Sequence, residues 1–154
     1  MPIGEDTYAY RRRLPHIERE HRTYFVTFST KNRRVLESRE KDIVFAECLF
    51  AHSDASWLHC AVVMPDHVHL LLTLGAVDSL SRRLQPIKGR SARLVNALTG
   101  RTGSVWQRES FDRILRKDED LQKKAEYIAN NPVRAGLVEK AEDYRWLWFL
   151  PPAG

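Results

Sequence analysis

His67 and His69 interrupt an otherwise apolar stretch, VVMPDHVHLLLTL at residues 62–74. Residues i and i+2 of a strand point to the same face. The two imidazoles therefore stand side by side, while Val68 and Leu70 face the other way into a core. Two neutral rings so placed can share one metal ion. The chain holds six histidines, so an H-x-H with an apolar middle also arises by chance, and alone it is a weak motif. The further Asp and His of a binuclear HxHxDH hydrolase are missing downstream, which makes a plain metallohydrolase the poorer reading. A second constellation lies in AEYIANNPVRAGLV, residues 125–138. On a helix ending there, Tyr127 and Asn131 are four apart and share a face. The Asn131 amide oxygen can serve as a third metal ligand with Tyr127 beside it. A tyrosine is a weak nucleophile at its usual pKa of about 10, yet attack on a phosphate polarised by a divalent ion is feasible. The phosphotyrosine formed would keep the energy of the phosphodiester, so the break could be resealed without ATP. The competing reading makes Tyr127 a core residue of an amphipathic helix, and spacing alone leaves both open.

The elements that must position these residues follow from periodicity. TYFVTFS (23–29) reads as a strand, Glu37 to His52 as a helix, and WLHCAVVM (57–64) and HVHLLLTL (67–74) as a hairpin around Pro65-Asp66. Alternation sets Asp66 on the Val68 side, as a turn residue rather than a ligand. Ser79 caps a helix to about Leu98, with Pro86 early enough to kink or restart it. A fourth strand is expected around Arg113–Arg116. Asp118 is the expected cap of a helix from about Glu119 to Asn131, ended by Pro132. The order β-α-β-β-α-β-α predicts an α+β, ferredoxin-like (RRM-like) sandwich. It has an antiparallel sheet of about four strands, helices on one face, and a C-terminal helix carrying the tyrosine. The whole chain, 1–154, reads as one domain, with a basic arm at 1–21 and an aromatic tail at 139–154.

Charge points to the partner. Lysine and arginine number 25 against 20 acidic residues, the net charge is +5 and the pI about 9.4. The positive charge is clustered at Arg11, Arg12 and Arg13, at KNRR with Arg33 and Arg34, and in SRRLQPIKGRSAR at 81–93. That last stretch carries Arg82, Arg83, Lys88, Arg90 and Arg93 and no acidic residue. A solvated helix face usually mixes signs, so a nucleic-acid surface is favoured. No apolar run reaches the roughly 18 residues of a membrane span, and the N-terminus is not a signal peptide. Cys48 and Cys60, with no CxxC, read as buried thiols of a reducing cytoplasm. An RNA-binding reading would need an aromatic RNP-type strand, which KGRSARLV lacks.

MPDHVHLLL, then VWQRESFDRILR, then YIANNPVRAGLV resemble, in that order, the HUH single-tyrosine transposases of bacterial insertion sequences. The resemblance is greatest to their REP-associated branch, which the opening YRRRLPHIEREHRTYFVTFSTKNRRVL also resembles. It covers about Tyr10 to Val138. It implies an enzyme that cuts single-stranded DNA near imperfect palindromes, leaving a 5′-phosphotyrosine and a free 3′-hydroxyl. His67 and His69 would hold Mg²⁺ or Mn²⁺, Tyr127 would be the nucleophile, and Asn131 matches a polar residue one turn beyond the tyrosine. Two imidazoles suit Mn²⁺ better than Mg²⁺. The three basic clusters would grip backbone phosphates, with an aromatic among Tyr24, Trp106 and Trp146 stacking unpaired bases. The expected state is a monomer in the cytoplasm, associated with the nucleoid, with a homodimer as the alternative. The alternative function is a hairpin-binding protein of the same fold that does no chemistry.

Overall fold

The computed structural model describes residues 22–76, 78–116 and 119–149. The basic arm with Arg11, Arg12 and Arg13, and the expected cap Asp118, lie outside the described residues. Five strands form one antiparallel sheet: β1 (Arg22–Ser29), β2 (Ser56–Val63), β3 (His67–Leu74), β4 (Phe111–Ile114) and β5 (Leu147–Phe149). Their spatial order is β4-β1-β3-β2-β5. The first four give the expected ferredoxin-like sheet. The fifth, Leu147–Phe149, comes from the aromatic tail and pairs with Cys60 to Val62 at the edge of β2. Three residues are too short to show period-2 alternation, which is why the tail did not read as a strand. No helix among the described residues is long and apolar enough to cross a membrane.

Helices α1 (Ser38–Cys48) and α2 (Leu80–Thr99) cover one face. α2 buries Leu84, Ile87, Ser91 and Val95, the spacing of a single inward stripe. Ser79 caps it by accepting from the Arg82 amide at 3.2 Å. Gly100, at φ +70°, ends it in the left-handed region. Pro86 does not restart it: the helix runs unbroken from Leu80 to Thr99. The proline sits in the second turn, where the helix forgoes one hydrogen bond to the Arg82 carbonyl and continues. Between these helices and the sheet lie Val26, Phe28, Val68, Leu70 and Leu72, all essentially inaccessible.

The other face is not left open. Helix α3 (Leu121–Ala129) lays Ala125, Ile128 and Ala129 over Cys60, Val62, Met64 and Leu71. Full burial of residues such as Leu71 and Ile128 is worth roughly 1.5–3 kcal/mol each, which fixes the helix across the histidine-bearing side of β3. Asp120 is the cap, accepting from the Lys123 amide at 3.1 Å. α3 stops at Ala129 with Asn130 as its C-cap, short of the expected Asn131, and the residue before Pro132 is helical after all: the chain at once begins a short helix, α4 (Asn131–Arg134), which takes Pro132 in its first turn. Cys48 and Cys60 are buried free thiols, and burial pushes Cys60 up to about 12.

Candidate active site

β3 begins at His67, and the hairpin bond from the Met64 amide to the His67 carbonyl is 2.7 Å. His67, His69 and Leu71 alternate onto the α3 face, opposite Ser29, Thr27 and Phe25 of β1. The two imidazoles are 4.7 Å apart at their centroids, with planes at 77°. Each ring is held through Nδ1. His67 Nδ1 meets Asp66 Oδ1 at 2.7 Å, and His69 Nδ1 meets Thr27 Oγ1 at 2.8 Å. An ionised carboxylate only accepts, so His67 Nδ1 carries a proton; in the neutral ring Nε2 then keeps its lone pair.

This overturns the expected place of Asp66. Strand alternation does not extend through the turn, and the carboxylate folds back to the histidine side. Arg33 holds it there, with Nε to Oδ2 at 3.0 Å and Nη2 to Oδ1 at 3.3 Å. Asn32 and Arg33 adopt φ +58° and +54°, a conformation that costs an arginine roughly 1–2 kcal/mol. Surrounding bonds impose it: the Thr30 amide to the Asp66 carbonyl at 2.9 Å, and the Leu36 amide to the Pro65 carbonyl at 2.7 Å. Burial alone would raise the Asp66 carboxyl. The His67 hydrogen bond and the Arg33 charge outweigh it and hold the group below its ordinary value.

His69 stacks on Phe25, with centroids 5.5 Å apart and planes at 24°. Burial first, then the charges of His67, Arg134 and Lys124, push its pKa down to about 3. The ring is therefore neutral at physiological pH, as a metal ligand must be.

Tyr127 is not a core residue. The inward stripe of α3 leaves it 58% exposed. The Arg134 guanidinium lies 3.9 Å from its ring centroid. The Lys124 ammonium stands 5.3 Å from the Tyr127 ring and 4.6 Å from Phe25. A chain of contacts thus runs from His67 through His69, Phe25 and Lys124 to Tyr127 and Arg134. The buried tyrosine is Tyr144, 7% exposed, which donates its hydroxyl to the Val63 carbonyl at 2.6 Å and is raised to about 12 by burial.

Asn131 opens α4 and does not share one continuous helix with Tyr127. Its amide nitrogen donates to the Ile128 carbonyl at 2.9 Å, which leaves Oδ1 as the atom a metal could use. No group of three or more His, Cys, Asp or Glu that could hold a metal exists among the described residues. The side-by-side imidazoles are the donors that the structure brings together, and nitrogen donors suit Mn²⁺ better than Mg²⁺; Asn131 Oδ1 is the oxygen that could join them. Lys124 and Arg134 escaped the sequence reading. Their signal was spacing, because 124, 127, 131 and 134 recur at helical intervals.

The basic residues divide. Arg33 is tied to Asp66, and Arg34 forks onto buried Glu40 at 2.7 and 3.3 Å. Arg83 pairs with Asp78 and Arg90 with Glu47. Lys88 donates to the Gln107 carbonyl and to Ser110, each at 3.1 Å. Arg82 and Arg93 are exposed, with no carboxylate partner among the described residues. All of α2 packs on the sheet face away from the histidines. The aromatics named for base stacking belong to the framework. Trp106 is buried with its Nε1 on Ser91, Tyr24 packs against the α1–α2 side, and the Trp146 indole donates to Asp42.

Residues 18–131, most of the chain and all of the histidine strand and tyrosine helix, match the family described as "Transposase IS200 like". The chain belongs to this family. A protein of Haemophilus influenzae provisionally named a REP-associated tyrosine transposase is 31% identical over 97 residues, 56% of this chain and 55% of that protein. The chain thus spans about half the length of that relative. The REP-associated tyrosine transposase of Escherichia coli K12 is 25% identical over 130 residues, 82% of this chain and 76% of that one. Among solved structures, a REP-associated tyrosine transposase bound to a REP hairpin superposes with a TM-score of 0.65. Its sequence identity is 24%, over 82% of this chain and 75% of that chain, so the likeness shows a shared fold alone.

Proposed function

We propose that this chain is a single-stranded DNA endonuclease and strand transferase that cuts beside imperfect palindromic hairpins, with Tyr127 as its nucleophile. The supporting observation is an exposed phenol flanked by Lys124 and Arg134, on the helix laid across the face that carries two inward-held imidazoles. The named relatives support the DNA substrate, above all the solved one bound to a REP hairpin.

The Tyr127 oxygen attacks the scissile phosphorus, the bond from phosphorus to the 3′-oxygen breaks, and a 5′-phosphotyrosine forms. The phenol loses its proton and the departing 3′-oxygen gains one, giving a free 3′-hydroxyl; the reverse steps reseal a strand. Lys124 and Arg134 attract and orient the phosphate, and their charges oppose the negative charge that develops on it. His67 and His69, with Asn131, would hold Mg²⁺ or Mn²⁺, which when bound would polarise the phosphate oxygens. Asp66 and Thr27 fix the ring orientations. Exposed Arg82 and Arg93 can grip the backbone of a hairpin extending past the sheet edge, and Arg83, Lys88 and Arg90 line the same helix.

The test is a covalent-adduct assay with labelled single-stranded DNA carrying palindromes, in Mn²⁺ or Mg²⁺. Label should migrate with wild-type protein on a denaturing gel, and should be lost in Tyr127→Phe, in His67→Ala and in His69→Ala. An adduct that persists in Tyr127→Phe refutes the nucleophile. Tight hairpin binding with no adduct in any metal would make the chain a binding protein instead.

A further inference from the structure

Phe111 is 59% exposed, although it opens a strand and has a folded sheet beside it. It pairs across β1 with Thr27, the residue whose hydroxyl holds His69. Alternation sets it on the α3 face, and its ring meets Phe25 edge-on, with centroids 6.4 Å apart and planes at 70°. Two strand spacings, about 10 Å, separate it from the histidine strand. The other two rings at the site already have cations against them. Lys124 stands over Phe25, and both Lys124 and Arg134 stand over Tyr127. No described cation lies over Phe111. An apolar ring left in water, edge-on to a Phe25 ring that itself carries Lys124, matches the alternation of a single-stranded nucleic acid, a charged backbone with flat unpaired bases.

We infer that Phe111 is the stacking platform for an unpaired base flanking the phosphate at the histidine pair, so that β4 selects single-stranded over paired DNA at that position. This rests on the strand-cleaving reading above. A base within a duplex has both faces covered by its neighbours and cannot use the ring; an extruded or unpaired base can. The inference does not call on a particular base, because every base offers a π-face. It places single-strand preference in Phe111 and phosphate attraction in Lys124 and Arg134.

The experiment is equilibrium binding of a hairpin oligonucleotide with an unpaired flank, read by fluorescence anisotropy with the full chain and its variants. Base–aromatic stacking makes Phe111→Ala weaken binding roughly 5- to 150-fold. Phe111→Leu, which keeps apolar bulk without a ring, should fall with it, and Phe111→Trp should bind as well as wild type or better. An abasic flank should weaken the wild type and erase its difference from Phe111→Ala. A 2-aminopurine in the flank should be quenched by wild type and by Phe111→Trp alone. Phe111→Ala and Phe111→Leu binding within twofold of wild type overturns the inference, as does a loss that persists on the abasic flank. Wild-type binding with these dependences but without covalent adduct leaves the platform standing and removes the cleavage reading. No wild-type binding removes both.

Discussion

Replacing Arg34 by methionine separates a structural arginine from a DNA-binding one. Glu40 is 2% exposed, and both its oxygens meet the Arg34 guanidinium. Oε1 also accepts from the Glu37 amide at 2.9 Å, which ties the carboxylate to the start of α1. Burial alone would raise this carboxyl, but Arg34 and the Glu37 amide outweigh it and hold the group below its ordinary value. Methionine keeps the stem and removes the charge, leaving a buried carboxylate with one amide partner. Removing one member of a fully buried pair costs about 3–5 kcal/mol. The Arg34 side chain is 24% exposed, so water reaches the gap and a loss of roughly 2–3 kcal/mol is expected. At this chain length that lowers Tm by about 4–12 °C. The pH dependence has a definite sign. A carboxyl lowered by folding stabilises the fold above its unfolded pKa, and that contribution is lost as pH falls through the folded value. The gap between wild type and Arg34→Met is therefore full at neutral pH and narrows in acid. Glu40→Gln added to Arg34→Met should recover part of the loss by removing the stranded charge. Melting by circular dichroism from pH 7 down to 3.5, paired with hairpin binding, tests this. A variant that melts within about 1 °C of wild type yet binds DNA more weakly would refute the reasoning and return Arg34 to the DNA surface.

Arg82→Gln with Arg93→Gln should leave Tm unchanged, because neither side chain has a described carboxylate partner. Their combined effect should be to flatten the log–log salt dependence of DNA binding by about 0.7–0.9 per lost phosphate contact, and an unchanged slope would take both off the contact surface. His69, pushed down to about 3 by burial and then by neighbouring charge, should show no ring-proton titration by NMR between pH 4 and 8, whereas an exposed histidine titrates near 6.5. Because the unfolded chain binds that proton first, folding stability should fall as pH drops from about 6.5 toward 3; a His69 midpoint near 6.5 would mean the ring is not buried.

The site that the sequence showed most clearly is the one built from local periods. β3 runs from His67 to Leu74, the bounds read from the Pro65-Asp66 turn and the apolar run behind it, and both are properties of adjacent residues. The pairing of His67 and His69 on one face follows from strand alternation. Helix α2 and its Ser79 cap were legible for the same reason: inward spacing and a capping hydroxyl are properties of a few consecutive residues. Asp66 shows where that reasoning stops. Its side chain direction is set by Arg33, distant in sequence and held in a left-handed turn, and by a histidine that needs an acceptor. The fifth strand and the cover given by α3 likewise depend on which apolar surface remains once the first four strands have paired.

The sequence by itself determined the ferredoxin-like order of strands and helices, the side-by-side histidines, and the presence of a tyrosine with an amide four residues on. These depend on short-range stereochemistry and on motif order. Only the tertiary structure decided which charges are available. Arg33 and Arg34 look alike in KNRR beside any other basic cluster, but folding brings Asp66 and Glu40 against them and leaves Arg82 and Arg93 free of described carboxylates. It also decided that Tyr127 is exposed while Tyr144 is sealed, and that Phe111 rather than Trp106 faces the site. Burial and ion pairing are properties of surfaces brought together from distant segments, and no local spacing encodes them.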